Sequence, residues 1–231
     1  MGGSEEKYLK NMPVSCKINC DLYEGVYAMR IKDEENERRQ REMLLNAAWK
    51  LFRQKGYQET TMRDILEEAK CSKGRFYYYF NAKAELLDSL SEVFDQKYLE
   101  FYSQISKGQP VLDQLLELTH YMLDFMSKEI GVELLTNLYI NQLAGVTEIR
   151  FWGENRLVRN ILTEILSGGQ ENGQIRMDLE IAEMVSDIIE EERNQIISWC
   201  LEKGRYPLTE VSIRKLERIY RIFSKELEKK K

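Results

Sequence analysis

Residues 43–90 read MLLNAAWKLFRQKGYQETTMRDILEEAKCSKGRFYYYFNAKAELLDSL, and this stretch decides the fold. Apolar residues within Met43–Phe52 recur at the spacing of one helical face, and Gly56 is typical of the position where such a helix ends. Thr61–Asp64 has the pattern of a capping box, which begins a second short helix. Ser72 follows a tight turn and can cap a third helix. The stretch therefore predicts a helix-turn-helix unit.

Helical patterns continue on the carboxyl side of this unit, and only three prolines occur in the whole chain. We expect a long fourth helix capped by Asn81, followed by five more helices. One of these is expected to end at Gly168–Gly169, because glycine commonly ends a helix. The predicted fold class is all-α.

The composition narrows the classes of protein. The chain has 231 residues, with 34 Lys and Arg against 39 Asp and Glu and a net charge of −5, so contact with DNA requires a local basic patch. The single histidine, His120, excludes metal sites built from several histidines. The four cysteines lack Cys-x-x-Cys spacing and are interpreted as reduced thiols. We predict no metal and no cofactor, and we expect a cytoplasmic protein because no signal or membrane-spanning pattern is found.

A basic patch lies inside the decisive stretch. Four basic residues and no acidic residue occur between Lys70 and Lys83, including Lys73 and Arg75. Five consecutive aromatic residues, Phe76–Phe80, fall in the same segment. A solvated basic face over an aromatic core would explain the charges, but it does not explain three consecutive tyrosines beside a capped turn. We therefore predict a DNA-binding segment, in which exposed phenol hydroxyls donate hydrogen bonds to phosphates.

The same stretch resembles the DNA-binding domain of the TetR family of bacterial transcriptional regulators. The residues that match at the family's spacing are Ala47–Ala48, Leu51–Phe52, Gly56–Tyr57, Thr60–Thr61, Ile65, Ala69, Ser72, Lys73–Gly74, Tyr77, Phe80, Lys83 and Leu86. The resemblance implies a homodimeric, sequence-specific repressor that leaves a palindromic operator on double-stranded DNA when a small molecule binds its carboxyl-terminal domain. In the turn, Lys70–Cys71 stands where the family usually has glycine and a small apolar residue. A left-handed Lys70 would cost roughly 1 kcal/mol.

The resemblance also implies roles for individual residues of the second and third helices. Contacts with backbone phosphates are implied for Thr61, Tyr77, Tyr79 and Lys83, and the major-groove side is implied for Arg63, Lys73, Gly74, Arg75 and Tyr78. Together with the capping Ser72, these residues form the predicted DNA-binding set. Arg63 and Arg75 are the best candidates for reading sequence, because arginine can bind guanine through two parallel hydrogen bonds.

The chain divides into three predicted parts. Residues 34–81 form the helix-turn-helix DNA-binding domain, and residues 82–231 form a helical ligand-binding and dimerisation domain. Residues 1–33 are interpreted as an N-terminal extension, for which disorder and a non-native origin are both open interpretations. One hypothesis is that translation begins at Met29, which would leave residues 1–28 outside the native protein.

A ligand pocket is predicted in the middle helices, where polar and aromatic residues are mixed as in sites for aromatic or amphipathic ligands. The predicted pocket residues are His120, Tyr121, Phe125, Tyr139, Phe151, Trp152 and Asn155. The ordinary core and surface of a helical bundle explain any single one of these residues at least as well. The identity of the effector does not follow from the sequence.

A dimer interface is predicted on the last two helices, which carry wide apolar faces. The predicted interface residues are Met184, Ile188, Ile196, Trp199, Ile213, Leu216, Ile219 and Phe223. One helix pair could bury part of this surface, and the same pair in a second subunit would bury the rest as a four-helix bundle.

Two other functions are alternatives to a ligand-responsive regulator. A DNA-binding protein without a small-molecule ligand would share the helix-turn-helix signals. A helical enzyme would need a nucleophile with its base, paired carboxylates or a phosphate-binding loop, and none of these motifs is found. The run Glu190–Glu192 is interpreted as a solvated helix face. We therefore predict that the chain is not an enzyme.

Overall fold

The computed structural model describes residues 14–146, 153 and 156–225. The helices in these ranges are α1 Val14–Lys55, α2 Met62–Glu68, α3 Lys73–Tyr79, α4 Lys83–Asp88, α5 Leu90–Tyr102, α6 Val111–Phe125, a π-helical turn Met126–Ile130, α7 Val132–Leu143, α8 Leu157–Glu171, α9 Ile181–Leu201 and α10 Leu208–Phe223. The all-α prediction is confirmed. An isolated antiparallel bridge pairs Ile175 with Ser224. No helix in the described ranges has the length and apolar character needed to cross a bilayer.

The local signals of the helix-turn-helix unit are present as predicted. The Thr61 hydroxyl accepts a hydrogen bond from the Asp64 amide at 3.2 Å, and the Asp64 carboxylate accepts from the Thr61 amide at 2.7 Å. The Ser72 hydroxyl caps α3 by accepting from the Arg75 amide at 3.3 Å. Lys70 takes the left-handed conformation that the turn requires, with φ of 49°. These contacts join residues only a few positions apart, so the sequence alone specifies them.

Four predicted helix boundaries were wrong. The first helix begins at Val14, about twenty residues before the predicted start near residue 34. The long fourth helix is divided into α4 and α5 at Ser89, whose hydroxyl donates to the Leu86 carbonyl at 2.6 Å and accepts from Trp49 Nε1 at 3.2 Å. In addition, Ala82 rather than Asn81 is the N-cap residue of α4.

The fourth wrong boundary is the predicted end at Gly168–Gly169, because α8 continues to Glu171. Gly169 is required by packing and not as a helix end. A Cβ atom there would lie 2.5 Å from Cγ1 of Ile175 and 3.1 Å from the methyl carbons of Val111. The glycine therefore lets α8 approach the start of α6.

Helix α6 lies at the centre of the carboxyl-terminal domain and packs against α5, α8 and α10. At the other end of the chain, α1, α2 and α3 enclose a small apolar core that includes Phe52, Ile65 and Phe76. We call residues 35–81 the head. Because Phe76 is fully buried, α3 has a fixed rotation on this core, and its remaining faces are turned to solvent.

Candidate DNA interface

The exposed face of α3 carries the basic patch that the sequence predicts. Lys73, Gly74 and Arg75 are exposed in the first turn of the helix, and Tyr77 and Tyr78 keep 48% and 68% of their surface accessible. Positive charge at a helix N-terminus, together with free donors of the first turn, favours phosphate or base-edge acceptors. Cationic and phenolic side chains are thus exposed together on α3.

Gly74 has no structural reason within the chain to be glycine. Its backbone has an ordinary helical conformation, and a Cβ atom added there would meet no other atom within 4 Å. The space around it is open on the same side as Lys73 and Arg75. A missing side chain at this point allows close approach of an external surface, as the major-groove prediction requires.

Helix α2 contributes Arg63, the second predicted base-reading residue. Its side chain is exposed, and its Nε atom donates to Glu67 Oε1 at 2.7 Å. This carboxylate raises the pKa of Arg63. An exposed, solvent-screened pair contributes little to stability, so the guanidinium can leave Glu67 for a guanine.

Two tyrosines of α3 already have partners within the head. The Tyr78 hydroxyl donates to Glu37 Oε1 of α1 at 2.8 Å, and this interaction raises the pKa of the phenol. Tyr79 is half-buried and packs edge-on against the Tyr78 ring. Sequence reasoning missed Glu37, because a contact across 41 residues leaves no local pattern. Tyr77 is the more accessible phosphate candidate, with its ring against Phe76 and 5.8 Å from the Lys73 ammonium.

Lys83 has a role that differs from the predicted phosphate contact. Its ammonium donates to the carbonyl of Tyr57 at 2.8 Å and to that of Thr60 at 2.9 Å, and it lies 4.2 Å from the centre of the Tyr57 ring. Partial burial lowers the pKa of Lys83. An ammonium has three N–H donors, so these carbonyls leave one for a phosphate. In this structure Lys83 is chiefly a support for the chain between α1 and α2.

The predicted pocket residues are not brought together at one place. His120 and Tyr121 line a groove of about 580 Å³ between α5, α6 and α10, where Tyr121 stacks on Phe101 with ring centres 4.4 Å apart. Phe125 lines a neighbouring groove of about 560 Å³ against α1. Tyr139 is buried in the core. The remaining predicted residues, Phe151, Trp152 and Asn155, lie outside the described residues.

Most of the predicted dimer interface is buried inside a single subunit, which corrects that prediction. The residues already buried within the chain are Met184, Ile188, Ile196, Trp199, Leu216 and Phe223. They pack in the core that α9 and α10 share with α6, α7 and α8. Ile213 faces the groove beside His120. Of the predicted set, only the half-buried Ile219 remains available to a second subunit.

The run Glu190–Glu192 is also not uniformly solvated. Glu190 is exposed, but Glu192 is 5% exposed and its carboxylate accepts a hydrogen bond from the Thr119 hydroxyl at 2.9 Å. The Tyr220 and Tyr98 hydroxyls also donate to it, at 3.4 and 3.5 Å. A charge run on an amphipathic helix hides such a residue from sequence reasoning, because one of three successive positions must turn inward.

The comparisons with known proteins agree with this geometry. A family model described as "Bacterial regulatory proteins, tetR family" matches residues 44–90. The HTH-type transcriptional regulator YuxN of Bacillus subtilis is 40% identical over 67 residues, which are 29% of this chain and 23% of that protein. The repressor KstR2 of Mycobacterium tuberculosis is 25% identical over 182 residues, which are 78% of this chain and 88% of that protein. The alignments with the first curated relatives cover between 23% and 46% of those proteins.

Among solved structures, the chain is similar to Thermus thermophilus FadR, a TetR-family transcriptional repressor in complex with lauroyl-CoA. The TM-score is 0.61 at 23% identity, over 78% of this chain and 92% of that one. This likeness shows a shared helical fold. The matched region, residues 44–90, coincides with the capped helix-turn-helix and its exposed basic face, so this part of the chain is similar to the DNA-binding domain of tetR-family bacterial regulatory proteins.

Proposed function

We propose that the chain is a sequence-specific transcriptional repressor that binds a palindromic operator as a homodimer and leaves it when a small molecule binds the carboxyl-terminal domain. It acts in the cytoplasm and has no catalytic role. The observation that carries the proposal is the exposed face of α3, where Lys73, Gly74 and Arg75 project from a helix that Phe76 fixes on the head. The relatives YuxN and KstR2, named as regulator and repressor, support it.

The proposed dimer uses the outer faces of α9 and α10. On α10, Val211, Ile219 and Ile222 fall on one side, and Ile222 keeps 51% of its surface accessible. Exposed residues of α9 at helical spacing are acidic, whereas those of α10 include basic residues. These exposed charges are Glu183, Asp187 and Glu190 on α9 and Arg214 and Arg218 on α10. A two-fold axis brings each acidic helix towards the basic helix of the second subunit.

The proposed effector site is the groove between α5, α6 and α10. The stacked rings of Phe101 and Tyr121 form an aromatic wall, and Ile213 adds apolar surface. His120 and Asp124 supply polar groups at the same groove. An apolar site of this size with a few polar groups suits a small amphipathic or aromatic molecule. The lauroyl-CoA complex of FadR supports a small-molecule effector in general.

Selection of bound DNA from a random pool tests the DNA-binding part. The expected product is a palindrome whose half-sites lie about one helical turn (~34–36 Å) apart. Arg75→Ala should lose preference at one position in each half-site, whereas Arg205→Ala, which removes an exposed arginine from the carboxyl-terminal domain, should select the wild-type site. Failure to enrich any sequence, or enrichment of a single unrepeated half-site, would contradict the proposal.

The ligand part is tested separately by thermal-shift screening of metabolites, followed by operator release in a gel shift. A stabilising compound that does not release operator, or no stabilising compound in a broad screen, would favour a DNA-binding protein without a small-molecule effector.

A further inference from the structure

The groove between α5, α6 and α10 combines aromatic and acidic side chains. Its lining residues are Phe101, Leu116, Glu117, His120, Tyr121, Asp124, Ile213 and Glu217. Three of these residues are carboxylates, and none of them is lysine or arginine. The carboxylates come from two helices, α6 and α10, so they face a bound molecule from two sides. We call this site the acidic groove.

The neighbouring groove against α1 has a different charge. Its lining contains the cations of Arg53, Lys97 and Lys128 together with two carboxylates. Both grooves include Tyr121 and Asp124 of α6, so this helix separates a more basic surface from an acidic one. A charged ligand therefore has a preferred side of α6, and the acidic groove favours a cation.

The spacing of residues along two helices produces the acidic groove. Glu117, Tyr121 and Asp124 follow one another at intervals of four and three positions, which places them on one face of α6. Ile213 and Glu217, four positions apart, form the facing edge on α10. Sequence periodicity alone does not distinguish this polar face from a solvated surface. The packing of α10 against α6 makes it the wall of a groove.

Hydrogen bonds between α6 and α10 hold the two sides of the groove together. The Thr209 hydroxyl of α10 donates to Asp124 Oδ1 of α6 at 2.6 Å. The buried hydroxyls of Thr119 and Tyr220, 2.5 Å apart, join the same two helices. These contacts make the groove a preformed feature of the fold, so little ordering entropy is lost when a ligand binds there.

Phe101 and Tyr121 form the aromatic wall of the acidic groove. Their rings are stacked, with centres 4.4 Å apart and an angle of 8° between the planes. The face of an aromatic ring carries partial negative charge and attracts organic cations. Leu116 and Ile213 add apolar surface beside the rings. The wall and the carboxylates therefore favour the same class of ligand, a cation with an apolar body.

The three carboxylates differ in how far they are neutralised by their neighbours. Asp124 and Glu217 each form an ion pair with a basic residue four positions further along the chain, whose side chain is largely exposed. Solvent screens such pairs, so they neutralise the groove only weakly. Glu117 instead accepts a hydrogen bond from the neutral Gln109 amide at 2.9 Å, and it forms no ion pair within the described residues. Glu117 is thus the carboxylate best placed to neutralise a bound cation.

We propose that the acidic groove binds an amphipathic organic cation, an amine or quaternary ammonium group attached to an aromatic or aliphatic body. The cationic group lies near Glu117 and Glu217, and the apolar body lies against Phe101 and Tyr121. This inference rests on the proposed effector site and names the class of molecule that fits it. The carboxylates disfavour an anionic molecule of the same shape by like-charge repulsion.

The test is isothermal titration calorimetry of the full chain with two probes of similar shape and opposite charge, tetraphenylphosphonium and tetraphenylborate. Glu117→Gln and Glu217→Gln each remove one charge from the groove. Glu171→Gln removes the same charge from the exposed end of α8, so it controls for the net charge of the chain. Phe101→Leu removes an aromatic face, and Phe101→Tyr keeps the ring. Circular dichroism verifies the helix content of every variant.

The wild-type chain should bind the phosphonium, and Glu117→Gln and Glu217→Gln should each weaken this binding about fivefold, because a neutral amide attracts the cation less. Phe101→Leu should weaken it by a similar factor, and Phe101→Tyr should restore most of the affinity. Glu171→Gln should bind as the wild type does, and any affinity for the borate should not fall in Glu117→Gln. No phosphonium binding, equal losses for both ions, or an equal loss in Glu171→Gln would overturn the inference.

A gel shift on the selected operator separates this inference from the proposed function. Phosphonium that binds through Glu117 and releases the operator would support both. Binding through Glu117 without release would support the acidic groove as a cation site and contradict its role as the effector site. Release by an anionic compound whose binding is weakened by Phe101→Leu would overturn the inference and leave the proposed function in place.

Discussion

A buried carboxyl group in the carboxyl-terminal domain gives a sharp test through pH. Glu192 of α9 accepts hydrogen bonds from Thr119 of α6, Tyr98 of α5 and Tyr220 of α10, so it joins four helices. Burial disfavours its ionised form and raises its pKa from 4.5 to about 7, although the three hydroxyls act in the opposite direction. Burial and the nearby carboxylate also raise the pKa of Tyr98 and Tyr220, which stay protonated donors.

The sign of the effect follows from proton binding in the two states. Below pH 4.5 the folded and unfolded chains both hold the proton on Glu192. Between about pH 4.5 and 7 the unfolded chain releases it while the folded chain retains it, so the free energy of unfolding falls as pH rises. Above pH 7 both states are ionised and this contribution is constant. At about 1.4 kcal/mol for each pH unit, the interval between the two pKa values corresponds to about 3 kcal/mol.

Glu192→Gln should remove this slope, because glutamine is neutral at every pH and keeps an oxygen that accepts from Thr119. Urea unfolding at fixed protein concentration, at pH 5, 6, 7 and 8, measures the free energy. The variant should match the wild type within about 1 kcal/mol at pH 5 and exceed it by about 3 kcal/mol at pH 8. Glu190→Gln, the same change at an exposed neighbour, should run parallel to the wild type. Parallel curves for Glu192→Gln would refute the reasoning.

Four further changes test other parts of the molecule. Arg75→Ala should lose about 1–3 kcal/mol on the selected operator and less on random DNA, by gel shift; equal losses exclude base reading. Lys83→Ala should destabilise the fold by about 1–3 kcal/mol in urea, because the carbonyls of Tyr57 and Thr60 both lose the ammonium donor; an unchanged stability with a salt slope lowered by about 1 would restore the phosphate role. Ile222→Asp should give a folded monomer in light scattering, since Ile222 is exposed within the subunit; a stable dimer would place the interface elsewhere. Gly169→Ala should lower stability by about 1–3 kcal/mol through overpacking, and a neutral result would show that α8 can shift.

The parts of the fold that the sequence predicts are those set by near neighbours in the chain. The capping contacts of Thr61 and Ser72 each reach three residues ahead, and the strained Lys70 follows from the turn that they bound. The same holds for the exposed basic face of α3, because burying Phe76 at one point of a seven-residue helix fixes the direction of all the others. The spacing of residues along α3 and the one buried anchor, Phe76, are sufficient to predict which of its side chains are exposed.

The dimer interface cannot be predicted from local sequence patterns in the same way. Periodicity identifies the apolar side of α10, but a stripe such as Leu216 and Phe223 has the same pattern whether it meets its own subunit or a second one. In this chain α6 already covers that stripe, with Tyr220 at its centre. The surface left for a partner is narrower and more charged, and only the packing of the whole domain reveals it. When an interface is predicted from an amphipathic helix, the apolar residues that are already buried within the subunit must therefore be excluded first.

Lys83 illustrates the same limit at a single side chain. The family resemblance fixes the residue type and its position after α3, and an ammonium there binds any pair of oxygens within reach. The sequence alone does not distinguish phosphate oxygens from the carbonyls of Tyr57 and Thr60 as partners of this ammonium. In the folded chain Lys83 binds the carbonyls, because the α1–α2 turn lies against the start of α4. Lys83 and Glu133 hold this turn together, because the Glu133 carboxylate accepts a hydrogen bond from the Tyr57 amide while Lys83 binds the Tyr57 carbonyl. A residue predicted to bind phosphate thereby also supports the turn that leads into α2.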